Sequence, residues 1–538
     1  MSRTGNTPDA APADQAPVKR SAGSLTGWTV LSAIIPGVGL VRAGRRKAGW
    51  IILAAFTIPV LVVLILGLAN RRALIAAAVD PETLRVATAL IAVVAVLWAA
   101  MIVLSHLLLR GQHPSHRRRL GGALLVGVLV FAISAPMAVA ARYSYDQAAL
   151  VEKVFGRSDR TKSATRPDQA PDSWADKPRL NVLLLGGDGG KGREGVRTDT
   201  VIVASIDTAT GATTLFSLPR NTARMPFPEG PLREAYPNGF TDGDGANAEY
   251  FLNAMYMNVP GQHPEILGET DNLGADVMKL SVGEALGLKI DYYALVNLEG
   301  FTELINAFGG VTLNINEYIA MGGNTDKGIP PKRWLSPGEN QHLSGAEALW
   351  YARGRYGSDD FARMDRQRCV INAVIRQVNP QTVLTRYEAI ARASSEIVFT
   401  DIPQELLAPL VELATRVQGG NVRSIVFKNG VDGFVSANPD FELMRERVQQ
   451  ALGESKKPPA SPEPSQDPSS EPSAGEPAEP SNGPGEQPSE PQQPGGDPTE
   501  QPSQGQSEAP TSENVDDVCA YDPERAQHAR ENPPPWVN

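Results

Sequence analysis

The sequence predicts an α/β fold, in which a three-layer αβα domain stands outside a membrane, after an all-α membrane region and before a disordered tail. Three observations carry this expectation. Three apolar runs, Trp50–Ala69, Val86–Leu109 and Leu120–Ala141, each approach or exceed the roughly 20 residues that cross a bilayer. From about Arg179 to about Gly453, strand-like and helix-like segments alternate, which is the pattern of helices layered on a sheet. The stretch Lys456–Asn514 is so rich in Pro, Ser, Glu and Gln that it cannot bury a core.

Residues 1–22 are polar and rich in Pro and Ala, and are expected to be disordered. Leu25–Val41 is apolar but short, and Ile35-Pro36-Gly37-Val38-Gly39 breaks it. It fits a re-entrant or interfacial hairpin, with a fourth span as the alternative. Basic clusters set the orientation. Arg42, Arg45, Arg46 and Lys47 precede the first long run, and Arg117, Arg118 and Arg119 lie between the second and third. Both clusters stay inside only if the chain passes out, in and out again, which places everything after Arg142 outside. The external loop 70–85 carries Arg71 and Arg72, a mild exception. No charged n-region, short core and A-x-A site occur in the order of a cleavable signal peptide.

Residues 143–178 read as a linker. The outer domain opens on Leu180-Asn181-Val182-Leu183-Leu184-Leu185, a buried-strand signature. Strands follow at Thr200–Ile206 and Thr213–Leu218, then helical spacing over Met278–Leu286. Strand Tyr292–Asn297, helix Glu299–Phe308 and strand Val311–Ile315 come next. Ser344-x-x-Glu347 is a capping box for a helix through Ala352, and Asp360 is placed to cap a helix from Phe361 to about Val378. The final segment, 515–538, follows the tail.

Charge and composition exclude several functions. The net charge of -10 comes from 50 Lys plus Arg against 60 Asp plus Glu, and 11 of the acids lie in Pro458–Asn514, which has no Lys or Arg. The remainder is near neutral and shows no broad basic face, so no nucleic-acid partner is expected. The six histidines make no HExxH, and the two cysteines make no zinc spacing.

The cluster Gly186-Gly187-Asp188-Gly189-Gly190-Lys191-Gly192 matches a dinucleotide pattern in letters only, with Asp207 twenty residues past Gly187. That fingerprint needs a helix starting at the glycines, and Arg193–Asp199 is too short for a crossover helix. A P-loop fails because Gly192, not Ser or Thr, follows Lys191.

An acid-and-arginine constellation remains. Asp188 lies just past the carboxyl end of a strand, where open α/β sheets place ligands. Arg197 and Asp199 stand in Arg197-Thr198-Asp199-Thr200, and Arg220 ends Ser217-Leu218-Pro219-Arg220. Arg353, Arg355, Arg363, Arg366 and Gln367 follow. Guanidinium groups grip phosphate oxygens bidentately, and carboxylates with phosphates suit Mg²⁺. Together they point to a pyrophosphate bound through a metal. Each residue also has a plainer reading: Asp188 and Asp199 as turn or cap residues, Arg363 and Gln367 as one solvated helix face. For Arg366, a partner near Asp365 or a place facing water is the favoured reading.

In order and spacing these segments resemble the LytR–CpsA–Psr family. The likeness runs from about Asn181 to about Pro380, with a weaker tail to Gly453. It takes in Asn181-Val-Leu-Leu-Leu-Gly-Gly-Asp188, Arg197-Thr-Asp-Thr200, Ser217-Leu-Pro-Arg220, Asn253-Ala-Met-Tyr256, Ile290-Asp-Tyr-Tyr293, Gly309-Gly-Val311, Leu343-Ser-Gly-Ala-Glu-Ala-Leu349, Tyr351-Ala-Arg-Gly-Arg355, Asp360-Phe-Ala-Arg363 and Arg366-Gln367. The resemblance implies a mixed sheet flanked by helices, and a hydrophobic pocket holding a polyprenyl chain whose (pyro)phosphate is gripped by arginines and Mg²⁺ (or Mn²⁺). By position, Arg197, Arg220, Arg353 and Arg355 match the head-group arginines. Asp188 and Asp199 match the acids linked to the metal and to activation of the attacking hydroxyl. Arg363 and Gln367 match the later motif. The family usually has Asp after the Ser-x-Pro-Arg, where Asn221 stands here, so a role needing a carboxylate there is not expected. The implied activity is phosphoryl transfer, moving a glycopolymer from a polyprenyl-pyrophosphate carrier in the membrane lipid to peptidoglycan. A pyrophosphohydrolase using water, and a non-catalytic envelope regulator, are the alternatives.

Cys369 and Cys519 are the two cysteines. Outside the cell a disulfide between them would persist, pinning the end of the tail to the helix of Gln367. The alternative is two unrelated thiols, Cys369 buried as a small hydrophobe.

Overall fold

The structure is a computed structural model that describes residues 22–110, 116–156, 162–163, 174, 177–188, 196–243, 247–324, 327–377, 398–454, 512–535 and 537. The N-terminal region is helical: α1 (Ala22–Ile34), α2 (Val38–Arg42), α3 (Arg46–Ala69), α4 (Arg71–Val79), α5 (Pro81–Leu109) and α6 (His116–Val154). Three of these, α3, α5 and α6, are long and apolar enough to cross a membrane. They contain the three predicted spans and extend them. The helix of the third run continues to Val154, so the expected linker begins later than residue 143.

The broken stretch forms two short helices. Gly37 takes φ 96 between them, a conformation glycine adopts without a Cβ penalty. Trp98 of α5 donates its indole N–H to the Ala33 carbonyl at 2.8 Å, holding α1 against the bundle. The loop 70–85 is itself ordered: Asn70 caps α4 by accepting from Ala73 N, and Asp80 caps α5 by accepting from Thr83 N.

The outer domain is built on β1 (Arg179–Gly187), β2 (Thr198–Asp207), β3 (Thr213–Leu218), β4 (Tyr292–Asn297), β5 (Val311–Ile315), β6 (Ile319–Met321), β7 (Arg333–Leu335), β8 (Gly338–Leu343), β9 (Val398–Thr400), β10 (Val422–Val426) and β11 (Glu513–Asn514). The helices are α7 (Pro231–Ala235), α8 (Leu252–Gln262), α9 (Leu273–Leu286), α10 (Leu298–Phe308), α11 (Gly345–Arg353), α12 (Asp360–Gln377), α13 (Leu407–Gly419), α14 (Phe441–Glu454), α15 (Val515–Val518) and α16 (Pro523–Glu531).

Seven strands form one sheet in the order β11-β10-β3-β2-β1-β4-β9. β1 pairs antiparallel with β2 but parallel with β4, and β3 pairs parallel with β10, so the sheet is mixed as expected. Alternation along β1 assigns the layers. Leu183 and Leu185 face a core made with Met278 and Val282 of α9 and Met444 and Val448 of α14. Leu180 and Val182 face the opposite layer, with Leu413 and Val417 of α13. The antiparallel β1–β2 pair also disposes of the dinucleotide pattern, because that fold needs a parallel βαβ unit. Gly189, Gly190, Lys191 and Gly192 lie outside the described residues.

Ser344 and Glu347 form the expected capping box, with both reciprocal bonds present. The cap at α12 is different. Asp359 Oδ1 accepts from Ala362 N at 2.7 Å, so Asp359 takes the capping work expected of Asp360 and leaves the Asp360 carboxylate for other partners.

The end of the chain is part of the domain. Residues 455–511 lie outside the described residues, but Glu513 and Asn514, expected in the tail, add an edge strand to β10. Val515 and Ala526 are buried. Cys369 and Cys519 form a disulfide across 150 residues, with Cα atoms 5.6 Å apart. Asp516 strengthens the contact with α12, accepting from Asn372 at 2.7 Å and pairing with Arg376 at 2.8 Å.

Candidate active site

A cavity of about 1000 Å³ lies on the α12 side of the sheet. Its floor is apolar: Leu184 of β1, Ala294 and Val296 of β4, Phe301 of α10, Leu349 of α11, and Val370 and Ile371 of α12. Its mouth is charged. Asp188, Asp199, Arg220, Arg353, Arg355, Arg363 and Gln367 all line it. Seven of the eight residues named from sequence therefore meet at one opening, although they come from five separate segments.

Local structure explains how each arrives. A register shift between Gly186 and Gly187 bends the end of β1, and such a bulge re-aims the residues beyond it. Asp188 N donates to the Arg197 carbonyl at 3.1 Å, and Asp188 Oδ1 accepts from Arg197 N at 2.9 Å. Arg197 is the one expected residue that does not line the cavity. Its guanidinium pairs instead with Glu249, so its link to the site is the backbone grip on Asp188.

Asp199 sits near the start of β2 and accepts from Arg220 Nη1 at 2.7 Å, with Arg355 Nη2 3.8 Å away. Asp360 mirrors it. Its Oδ2 accepts from Arg363 at 2.9 Å, while Arg220 Nε and Arg355 Nε approach its Oδ1 at 3.6 and 3.8 Å. Three arginines are thus interleaved with two carboxylates. Reading the sequence missed Asp360 because a helix cap already accounted for it. The signal was present in the doublet Asp359-Asp360, which supplies one carboxylate to the cap and one to Arg363 three residues on.

Burial makes this array unusual. Arg363 is 1% exposed, and desolvation lowers its guanidinium to about 10, with Arg355 and Arg220 pushing the same way and Asp360 opposing. It remains a cation at neutral pH. Burial and then Arg220 lower Arg355 as well. For Asp199, burial raises the carboxyl, but Arg220, Arg355 and Arg363 more than offset it and hold it below its ordinary range. Gln367 is 9% exposed, so Arg363 and Gln367 do not form a solvated face. Arg353 lies with its guanidinium 5.2 Å over the Trp350 ring, a cation–π contact.

Arg366 corrects another expectation. It is buried, not facing water, and Asp365 pairs with Arg368 and Lys428 instead. Arg366 donates to the carbonyls of Tyr351 (2.8 Å) and Gly354. Those carbonyls flank Arg353 and precede Arg355, so one side chain fixes the loop that carries both. A Cβ at Gly354 would stand 2.8 Å from the Ala320 carbonyl, which leaves room there for glycine alone. Asn221 is exposed and does not line the cavity.

Residues 141–457 match the model of the LytR_cpsA_psr family. The chain belongs to the LytR–CpsA–Psr family. A relative from Enterococcus faecalis, named polyisoprenyl-teichoic acid–peptidoglycan teichoic acid transferase TagU, is 27% identical over 61% of this chain and 95% of its own length. A TagU from Oceanobacillus iheyensis is 30% identical over 56% of this chain and 83% of its own. The crystal structure of Bacillus subtilis TagV is 26% identical, covering 52% of this chain and 97% of that one, with a TM-score of 0.35. Segment 512–537 lies beyond the residues that match the LytR–CpsA–Psr model.

Proposed function

We propose that this chain is a membrane-anchored transferase, working outside the cell, that moves a glycopolymer from a polyprenyl-pyrophosphate carrier to peptidoglycan. One observation carries the reading: an apolar cavity opens directly at a cluster of arginines and carboxylates. A long isoprenoid chain needs the first and its pyrophosphate the second, and the names of the family relatives fit both. The three long apolar helices keep the enzyme where such a lipid resides. Their flanking basic clusters orient the domain outward.

In this reading Arg220, Arg353, Arg355 and Arg363 hold the phosphates, and Gln367 adds a neutral donor. A sugar hydroxyl of peptidoglycan forms a bond to the phosphorus beside the glycopolymer. The bridging P–O bond breaks, and lipid phosphate leaves with that oxygen. Positioning and charge stabilisation supply most of the rate in such transfers. The two acids divide the remaining work. Asp199 is held ionised by its arginines, which suits a ligand or orienting acceptor and makes it a weak proton acceptor. The hydroxyl proton then falls to Asp188, whose carboxylate is held by the Arg197 backbone.

Carboxylates set beside phosphate-binding arginines suit Mg²⁺, or Mn²⁺, a hard cation that takes oxygen ligands. Among the described residues, no group of three or more His, Cys, Asp or Glu is placed to hold a metal ion by itself. Asp188 and Asp199 would hold the ion. When bound it neutralises charge on the phosphates.

Full-chain protein given a labelled lipid-linked glycopolymer and peptidoglycan should place label in the wall and release polyprenyl phosphate. It should stop in a chelator and resume with Mg²⁺. Label released as free polymer phosphate would make it a hydrolase, and no turnover would leave a binding protein.

A further inference from the structure

A second, smaller cavity of about 220 Å³ lies on the other side of the loop that carries Arg355. Tyr356, Gly357 and Ser358 line both cavities. Three aromatic rings form its corner. Trp334 of β7 stands edge-on to Tyr318 (centroids 6.5 Å apart, planes at 86°) and to Tyr356 (6.0 Å, 80°). Glu317 and Arg366 supply the polar side, and Ala529, Asn532 and Pro534 close it. That last wall comes from the disulfide-held C-terminal segment, which no part of the family match includes.

The lining selects a class of ligand. Ring faces pack against C–H surfaces, and a few charged groups take hydroxyls. A bare anion would meet Glu317, and the Arg366 guanidinium is largely committed to the carbonyls of Tyr351 and Gly354. The volume suits one ring rather than a chain. A pyranose has these properties: C–H patches on its faces, hydroxyls at its rim, and no need for a counter-charge.

We propose that this cavity is a subsite for a single pyranose ring, one loop away from the phosphate-binding arginines. The source of that ring rests on the transfer reading: it is a sugar of the wall glycan that accepts the polymer, or the first sugar of the donor. A transferase must align a hydroxyl with a phosphorus, and effective alignment needs a second hold on the sugar. The Gly354–Ser358 loop joins the two holds.

The full chain in detergent, with its disulfide intact, should bind a disaccharide muropeptide released by muramidase, read by titration calorimetry. Trp334→Ala should weaken that binding by roughly tenfold or more, as aromatic anchors do when truncated. Ala529→Trp fills the cavity from helix α16 without touching its aromatic corner, and should act likewise at an unchanged melting temperature. In a second arm, turnover is followed on a polyprenyl pyrophosphate bearing one N-acetylhexosamine. A raised KM for this donor in both variants, with kcat and muropeptide binding unchanged, would assign the ring to the donor and support the subsite. Equal muropeptide binding and equal donor KM in wild type and both variants would overturn it. Muropeptide binding lost in Ala529→Trp from a wild type that transfers nothing would uphold the subsite and sink the transferase reading alone.

Discussion

Arg220 Nη1 donates to Asp199 Oδ1 at 2.7 Å, tying the turn after β3 to the start of β2 at the mouth of the large cavity. The pair is antiparallel neighbours' work: β2 and β3 bring residues 21 positions apart side by side. Removing Arg220 leaves Asp199 with the more distant Arg355, and removing Asp199 leaves Arg220 with Asp360 and crowds it against Arg355.

Asp199→Ala and Arg220→Ala should each lower turnover by about 10²–10³-fold, the scale for losing one preorganised charged group. Steady-state transfer assays with a parallel melting curve check this. A variant that transfers normally would take that residue out of the chemistry. The pH dependence is also fixed. A carboxyl depressed by folding adds stability above its unfolded pKa and loses it as pH falls through the lower folded value. The melting-temperature gap between wild type and Asp199→Asn should therefore hold steady well above pH 3.8 and close as pH falls below it.

Arg366→Ala removes the donor that holds the Tyr351 and Gly354 carbonyls and strands Glu317 with Arg525 alone. The expected cost is roughly 1–3 kcal/mol from unpaired buried acceptors, together with a loosened Arg353–Arg355 loop. Turnover should fall with KM for the lipid donor rising more than kcat drops. Urea unfolding and donor titration measure both. An unaltered donor KM would show that the loop does not need this clamp.

Closing the 150-residue separation between Cys369 and Cys519 contributes on the order of 4–5 kcal/mol in the chain-entropy model, and measured gains are often smaller. Cys519→Ser, or reductant, should lower the melting temperature and expose segment 512–537 to limited proteolysis. The ion pairs of Arg368 with Glu513 and Arg376 with Asp516 should slow that release. Equal protease resistance with and without reductant would mean that they suffice.

The basic clusters predict the topology. In cells, Ser115→Cys should resist a membrane-impermeant maleimide, while Glu446→Cys on the exposed side of α14 should label readily. Comparable labelling at both positions would overturn the out-in-out order.

The sequence alone determined the elements whose signals are local. Apolar runs mark spans because a bilayer has a fixed thickness. Period-two and period-3.6 patterns placed β1, β3, β4, α10 and β5 within a residue or two. Ser344 and Glu347 announced a helix start because both halves of the capping box lie within four residues. Seven of the eight expected site residues also line the cavity, and most of them sit at the ends of strands and helices or in the turns beside them.

Tertiary structure decided what depends on distant neighbours. Asp359 and Asp360 are both able to cap α12, and only the approach of Arg220 and Arg355 settles which carboxylate does so. Arg366 looks like a surface charge until α11 and its following loop offer two carbonyls. Arg197 carries the right side chain at the right spacing, yet Glu249, from 52 residues away, takes its guanidinium. The edge strand at Glu513 is equally silent in sequence, since two residues gain strand geometry only from the open hydrogen bonds of β10. Arg220 for Asp360, Glu249 for Arg197 and β10 for Glu513 all lie far along the chain, beyond the reach of a local pattern.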